Sequence, residues 1–427
     1  MIWVGQTVSV LGSRITTFAL TLWVWEATGQ ATPLSLLVFF TATPPIIASL
    51  FSGIIIDRFS RKQLMLLGDT IAGVSTIAIL LLLLSNSLAI WHLYLAGAIS
   101  GLFGYLHGMS LSASMSMIVP QQHYTRASAL ESAKGYGSNV LAPALGATLY
   151  YAIGLTGILI LDLMTFFLAI STLSFLTIPQ PQASKSETAN KETLWRQLTF
   201  GFRYIFKRPS LLAILLFLLS SNFVGNIGGA IFPAMILARS DDNAAVLASV
   251  EALSGIGGLT GAMVLSVWGG FRRRIHGLLL GSMFSRISGI VLGLAQLPWI
   301  WSIAGFWQTF FGSFVGSSNQ AIWLSKVEPA VQGRVFTSRY LIAQLASPIG
   351  VAIAGPLADF VFEPAMQPSG ILAGIFGGVF GTGEGSGMAV QFTLVSLLGS
   401  AIALGGYLFP VLRDVETIVR DHEVSSS

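Results

Sequence analysis

The chain has 427 residues, 53% of them hydrophobic and 9% charged, with a mean hydropathy of +0.76, a formal net charge of +4 and no cysteine. So few charges cannot cover a water-facing surface, for which a soluble domain uses roughly 25%. The absence of cysteine excludes disulfides, thiolate metal sites and cysteine nucleophiles, and the small net charge gives no reason to expect a nucleic-acid partner.

Apolar runs of about 20 residues must cross a bilayer as helices, because lipid satisfies no backbone polar group. In chain order the expected spans are Ile2–Trp25, Leu34–Ile56, Leu64–Leu84, Leu88–Ser112, Ser138–Ile153 and Gly157–Ile178, then Leu211–Leu237, Ala245–Trp268, Ile275–Leu294, Trp299–Trp323, Thr337–Leu357 and Met388–Leu412. The fifth is short as written, and its helix is expected to begin nearer Ala127. The first run opens at Met1 with neither a basic leader nor a small-residue cleavage site, so no signal peptide is legible and the true start stays open.

Basic residues orient this map. With the N-terminus cytoplasmic, the inside loops, linker and tail collect Arg58, Arg61, Lys62, Arg126, Lys134, Lys185, Lys191, Arg196, Arg203, Lys207, Arg208, Arg272, Arg273, Arg274, Lys326, Arg334, Arg339, Arg413 and Arg420, and the outside loops hold Arg239. That alternation is the positive-inside pattern. It predicts a multi-pass membrane protein with both termini cytoplasmic. Trp23, Trp25, Trp91, Trp299 and Trp301 at outer ends, and Trp3, Trp268 and Trp323 at inner ends, read as an aromatic belt.

The polar stretch near Pro179–Asn190 divides the chain. It is followed by Leu194, Trp195, Leu198, Phe202, Ile205 and Phe206 at helical spacing among Arg196, Arg203, Lys207 and Arg208, the pattern of an interfacial amphipathic helix. The expected organisation is a six-helix bundle over 1–178, a cytoplasmic linker with that helix over 179–210, a second bundle over 211–412 and a cytoplasmic tail over 413–427. The halves repeat weakly. Gly53…Asp57-Arg58-Phe59-Ser60-Arg61-Lys62 joins spans two and three, Gly269-Gly270-Phe271-Arg272-Arg273-Arg274 joins spans eight and nine, and Pro143 and Pro348 are expected to kink spans five and eleven.

Gly53, Asp57, Arg58, Arg61 and Lys62 resemble motif A of the major facilitator superfamily, with Ser60 in place of the usual second glycine. Ser138-Asn-Val-Leu-Ala142-Pro143-Ala-Leu-Gly146-Ala147 resembles a degenerate antiporter motif C, with alanines where glycines are usual. Gly5-Gln6, Leu11-Gly12-Ser13, Phe18-Ala19-Leu20 and Arg126-Ala-Ser-Ala-Leu130 resemble the macrolide-efflux and enterobactin-exporter branch. The resemblance implies an all-α membrane fold of twelve transmembrane helices in two pseudo-symmetric six-helix bundles. It also implies a motif A latch and a cavity lined by spans one, four, seven and ten. The competing reading of the Gly53–Lys62 loop is a topogenic basic loop.

Ionisable groups at bilayer depth are functional candidates by default. Glu251 and Asp162 are the carboxylates eligible for proton coupling, and His107 is the deep histidine. Arg14, Asn222, Asn226, Trp307 and Gln308 are the expected substrate contacts. The competing readings are a static pair such as Glu251 with Arg286, a headgroup-level carboxylate at Asp162, a packing histidine at 107, and small-residue packing for Gly5, Ser9, Ser13 and Thr17. Asp69 is assigned to the latch network. The glycine-rich stretch 370–387 follows no strand and has no Walker lysine, so it reads as an outer loop hugging the membrane, or alternatively as a gate.

No metal spacing or catalytic constellation occurs, so neither an enzyme nor a resident cofactor is expected. The reading is a secondary active exporter of a hydrophobic or amphipathic small molecule, drug-like or siderophore-like, driven by the proton gradient. It is expected to act as a monomer whose partners are the solute and the lipid bilayer. An importer or lipid-flipping permease of the same fold stays open, as does a membrane sensor.

Overall fold

The computed structural model describes residues 2–52, 55, 59–119, 121–175, 194–419 and 421. Gly53, Asp57 and Arg58 of the expected latch, the Arg126 side chain and most of the linker lie outside them. Among the described residues every regular element is a helix. Nine of these helices are long and apolar enough to cross a bilayer. One of them, Ala133–Ser174, covers 42 residues. It belongs to a run that starts at Tyr124 and breaks at Gly154, whose φ of 67° is left-handed and suits only glycine without strain. That break separates spans five and six. Ile90–Ile118 and Pro298–Lys326, each 29 residues, are also of spanning length and supply spans four and ten. Pro143 lies inside the long run. Pro348 sits in the first turn of Ser347–Leu357, just after span eleven is interrupted at residues 345–346.

The chain divides into two compact units, Met1–Glu187 with Ile236–Ala252, and Thr188–Met235 with Leu253–Ser427. Crossing hydrogen bonds tie Ile236–Ala252 to the rest of the first unit. Trp25 Nε1 donates to Asp242 Oδ1 at 2.6 Å, and the Ala244 amide donates to the Tyr151 hydroxyl at 3.2 Å. In the second unit the amphipathic helix Leu194–Phe206 lies against Gln332–Gln344. A Cβ at Gly201 would fall 2.4 Å from the Arg334 carbonyl, and the Arg334 guanidinium covers the Phe200 ring at 4.4 Å.

The two basic loops do the same work in each half. Arg61 Nη1 donates to the Ala113 carbonyl of span four at 2.6 Å, and Arg274 Nη1 donates to the Ala321 carbonyl of span ten at 3.0 Å. Lys62 Nζ reaches the Ser174 carbonyl at 2.8 Å, where a cation meets the negative end of span six. Ser60, the residue that departs from the glycine pattern, is the N-cap of span three.

The belt expectation needs correcting. Trp91, Trp268 and Trp299 are exposed as a belt requires, but Trp25, Trp301 and Trp323 are buried. Trp301 Nε1 donates to the Ala295 carbonyl at 2.9 Å, so its polar edge is satisfied inside the protein rather than at the headgroups. The glycine-rich stretch contains a short helix, Ala373–Phe380, with Ile371 and Ile375 exposed. Glu363 fastens its far end by accepting from the Gly385 and Met388 amides at the start of span twelve.

The tail is strapped to the second unit. Lys326 is buried and donates to the carbonyls of Glu416, at 2.9 Å, and Val419, and its ammonium lies 2.8 Å from Asp421 Oδ1. Glu416 Oε2 accepts from the Ile275 amide at 3.0 Å, filling one orphan donor at the start of span nine. Glu416→Ala is expected to cost about 1 kcal/mol, as loss of a helix cap does, and to raise amide exchange at Ile275 and over 415–419. The hydrogen bond from Lys326 holds the Asp421 carboxyl below its ordinary value. This contact is therefore at full strength above the usual carboxylate range, near pH 3.9, and is lost as the pH falls below it. Exchange over the tail should rise only in acid.

Candidate functional site

Polar side chains converge in a cavity of about 360 Å³ inside the first unit, lined by spans one to four and six. Span one supplies Gln6, Ser9, Ser13, Arg14, Thr16 and Thr17. The same helix packs through its smallest residue, since a Cβ at Gly5 would fall 2.5 Å from Thr172 Oγ1. Packing and cavity lining are both true of it, on adjacent faces.

Two carboxylates border this space. Asp162 is buried and accepts from Ser13 Oγ at 3.3 Å and from Thr76 Oγ1 at 3.1 Å. Asp69 is also buried, accepting from Gln6 Nε2 at 3.4 Å, with His107 Nδ1 at 3.7 Å from its other oxygen. Asp69 thus belongs to the cavity, not merely to a latch. His107 Nε2 is buried with no hydrogen-bond partner among the described residues. A carboxylate and an imidazole this close interact electrostatically. Arg14 lines the same space and donates to Asn139 Oδ1 on span five, within the stretch that resembles motif C.

Six of the residues singled out in the sequence, Asp162, Asp69, His107, Arg14, Gln6 and Ser13, are thus brought together, and Thr76 joins them. Gln6 carried a signal in its helical register with Ser13. Nothing in the sequence pairs Thr76 with Asp162. Glu251 lies apart from this cluster, half-buried on span eight beside Ala252 and Ala248, which line a third cleft with Ala144, Ala147, Thr148 and Tyr151 of span five.

The second unit has its own cavity of about 450 Å³, bordered by spans seven, ten and eleven. Asn222 lines it and donates from Nδ2 to the Ala343 carbonyl at 2.9 Å, and Asn226 donates to Ser347 Oγ at 3.1 Å. Both asparagines therefore tie span seven to the interruption in span eleven. Trp307 and Gln308 line neither of these two cavities. Trp307 stacks on Phe311 at 5.7 Å within a cluster of phenylalanines, and the Gln308 side chain lies at Gly289 of span nine. Arg286 donates to the Ser221 carbonyl at 3.0 Å and lies against Gly225 and Gly399, filling the gap between spans seven and twelve. Among the described residues no three His, Cys, Asp or Glu side chains group to hold a metal ion.

The sequence profile of the Major Facilitator Superfamily matches residues 2–351. Macrolide efflux protein A of Streptococcus pyogenes is 24% identical over 363 residues, covering 84% of this chain and 88% of that protein. The MFS-type transporter YfiS of Bacillus subtilis (strain 168) is 27% identical over 372 residues, 84% of this chain and 86% of its own. The structure of a bacterial homolog of the human lysosomal transporter Spinster, in its inward-facing and unoccupied conformation, aligns with a TM-score of 0.69 at 15% identity over 99% of this chain and 98% of that one. This last likeness establishes the fold alone.

Proposed function

The chain belongs to the Major Facilitator Superfamily and is a multi-pass membrane transporter rather than an enzyme; from that premise we propose that it exports a hydrophobic or amphipathic small molecule, coupled to proton entry. The observation that carries the coupling is the cavity of the first unit, where Asp162, Asp69 and His107 border one space. A charged side chain at the centre of a spanning helix costs about 2.5–3.5 kcal/mol on insertion scales. Protonation of a carboxylate removes that cost, so loading a proton and changing access become linked equilibria. Asp162 and the Asp69–His107 pair are the proposed proton sites. Glu251 remains a candidate outside the cluster, and Arg14 and Asn222 are the proposed solute contacts.

Export of a macrolide-like solute is supported by the name of the streptococcal relative. The proposed setting is a bacterial cytoplasmic membrane with both termini cytoplasmic and a single chain as the working unit. The test is a labelled-solute panel in inverted membrane vesicles, comprising a macrolide, other amphipathic drugs and a siderophore. An acid-inside gradient is expected to drive uptake of at least one, and a protonophore to abolish it. Uptake indifferent to the gradient would remove proton coupling, and depletion in place of uptake would reverse the direction.

A further inference from the structure

The cavity of the second unit contains a cation that no described carboxylate faces. Arg339, two turns into the helix Gln332–Gln344, borders it with Asn319 and Gln320 of span ten. The guanidinium is held between the rings of Trp323 and Phe336, at 5.4 and 5.3 Å. Trp323 is itself fully buried, so this platform is fixed. Arg339 Nη1 is buried with no hydrogen-bond partner among the described residues, and so is Asn319 Oδ1 in the same cavity. No carboxylate lies among the described lining residues. An arginine cannot shed its proton to escape this situation. Stacking on aromatic faces stabilises the cation from the sides but leaves Nη1 without a hydrogen-bond partner among the described residues.

The rest of the cavity is shaped for an apolar body. Leu218, Val315 and Ala343 line it, and a Cβ at Gly312 or Gly316 would meet nothing within 4 Å. Two glycines four apart thus open one face of span ten. A volume of about 450 Å³ falls in the range of small-molecule sites.

We infer that this cavity is a seat for an oxyanion carried on an apolar body, with the carboxylate or phosphate group on Arg339 and a neighbouring N–H or O–H of the ligand donating to Asn319 Oδ1. A guanidinium fork matches such a group with two parallel hydrogen bonds. The occupant is either an amphipathic acid or the phosphate headgroup of an anionic lipid, which share this chemistry. The inference rests on the transporter reading only in making the seat part of the solute's route. Binding reports on the seat with no transport, so the vesicle panel can fail while the seat stands, and the reverse.

The test uses the full chain in phosphatidylcholine nanodiscs and three fluorescent probes that share one apolar body: dansylglycine, dansylamide and dansylcadaverine. Dansylglycine is expected to bind about 10-fold more tightly than the other two, the scale of a hydrogen-bonded charge. Arg339→Gln should bring that ratio near one while dansylamide affinity is kept, and Arg339→Lys should retain part of it. Gly316→Leu should weaken dansylglycine about 10-fold by filling the apolar space, on the same scale, and it stands as the second variant should Arg339→Gln not fold. Equal binding of the three probes by the wild type, an unchanged preference in Arg339→Gln, or unchanged affinity in Gly316→Leu would each overturn the inference. Phosphatidylglycerol added to the discs separates the sources. Competition seen in the wild type but not in Arg339→Gln assigns the seat to a lipid headgroup, and no competition assigns it to a solute.

Discussion

Asp162→Asn is expected to abolish uphill export while leaving downhill movement of the same solute intact. Asp162 is 6% exposed, on span six, and its two oxygens each accept from a hydroxyl, Ser13 on span one and Thr76 on span three. The carboxylate thus joins three helices. Asparagine preserves the size and one acceptor but cannot change charge, so it removes the titration and keeps most of the packing. If coupling runs through this group, the solute gradient sustained by an acid-inside pH step should fall about 10-fold or more, roughly the factor that 1.4 kcal/mol of lost coupling represents. Counterflow of labelled against unlabelled solute should survive. Thr76→Val, which removes one donor to the carboxylate, should have a smaller effect, about 1 kcal/mol as for a single hydrogen bond. A full gradient in Asp162→Asn vesicles would move the coupling to Asp69 and His107, and Asp69→Asn beside it decides that.

Gly257→Leu is expected to eliminate folded protein. A Cβ at Gly257 would lie 2.1 Å from the Phe306 carbonyl oxygen, and one at Gly261 would lie 2.5 Å from that of Phe310. Spans eight and ten therefore touch backbone to backbone over a full turn, with Thr309 Oγ1 donating to the Ser254 carbonyl at 2.5 Å and Ser313 Oγ to that of Gly258 at 2.8 Å. In lipid, apolar area alone does not hold helices together, because the tails are as apolar as leucine, and such close approaches supply the attraction. Overpacking a core costs about 1–3 kcal/mol where side chains can yield. Here the obstacle is a carbonyl in a helix and cannot rotate away, so the cost should exceed that range. The readout is the monodisperse fraction and the thermal midpoint of the purified protein. Gly229→Ala on span seven, where a Cβ meets nothing within 4 Å, should leave both unchanged. A folded Gly257→Leu protein would mean that spans eight and ten are not packed as described.

The first half repeats this device. A Cβ at Gly101 of span four would fall 2.2 Å from the Thr41 carbonyl of span two. The loops repeat as well, Arg61 to Ala113 in one half and Arg274 to Ala321 in the other. The weak sequence repeat of Gly53–Lys62 with Gly269–Arg274 is thus a repeat of function, with the basic residue of each loop pinning the next helix but one.

The spans and the amphipathic helix at Leu194–Phe206 were legible because a bilayer is a solvent with one coordinate. Depth alone decides whether a residue is apolar, aromatic or basic, and depth follows the chain. The sequence also identified Asp162, His107 and Arg14 as costly residues at depth, since their expense does not depend on which neighbour they find. What each helix turns toward its neighbours is a second coordinate that hydropathy does not record. Only the packing of small residues fixes it. That is why Asp69, read from its place beside the basic loop, proved to face Gln6 and His107 in the cavity. It is also why Trp25, Trp301 and Trp323, placed by depth in a belt, are buried. Arg339, read as one more positive charge on the inner side, became a cation facing no described carboxylate only once the tertiary structure set it between Trp323 and Phe336 over an open face of span ten.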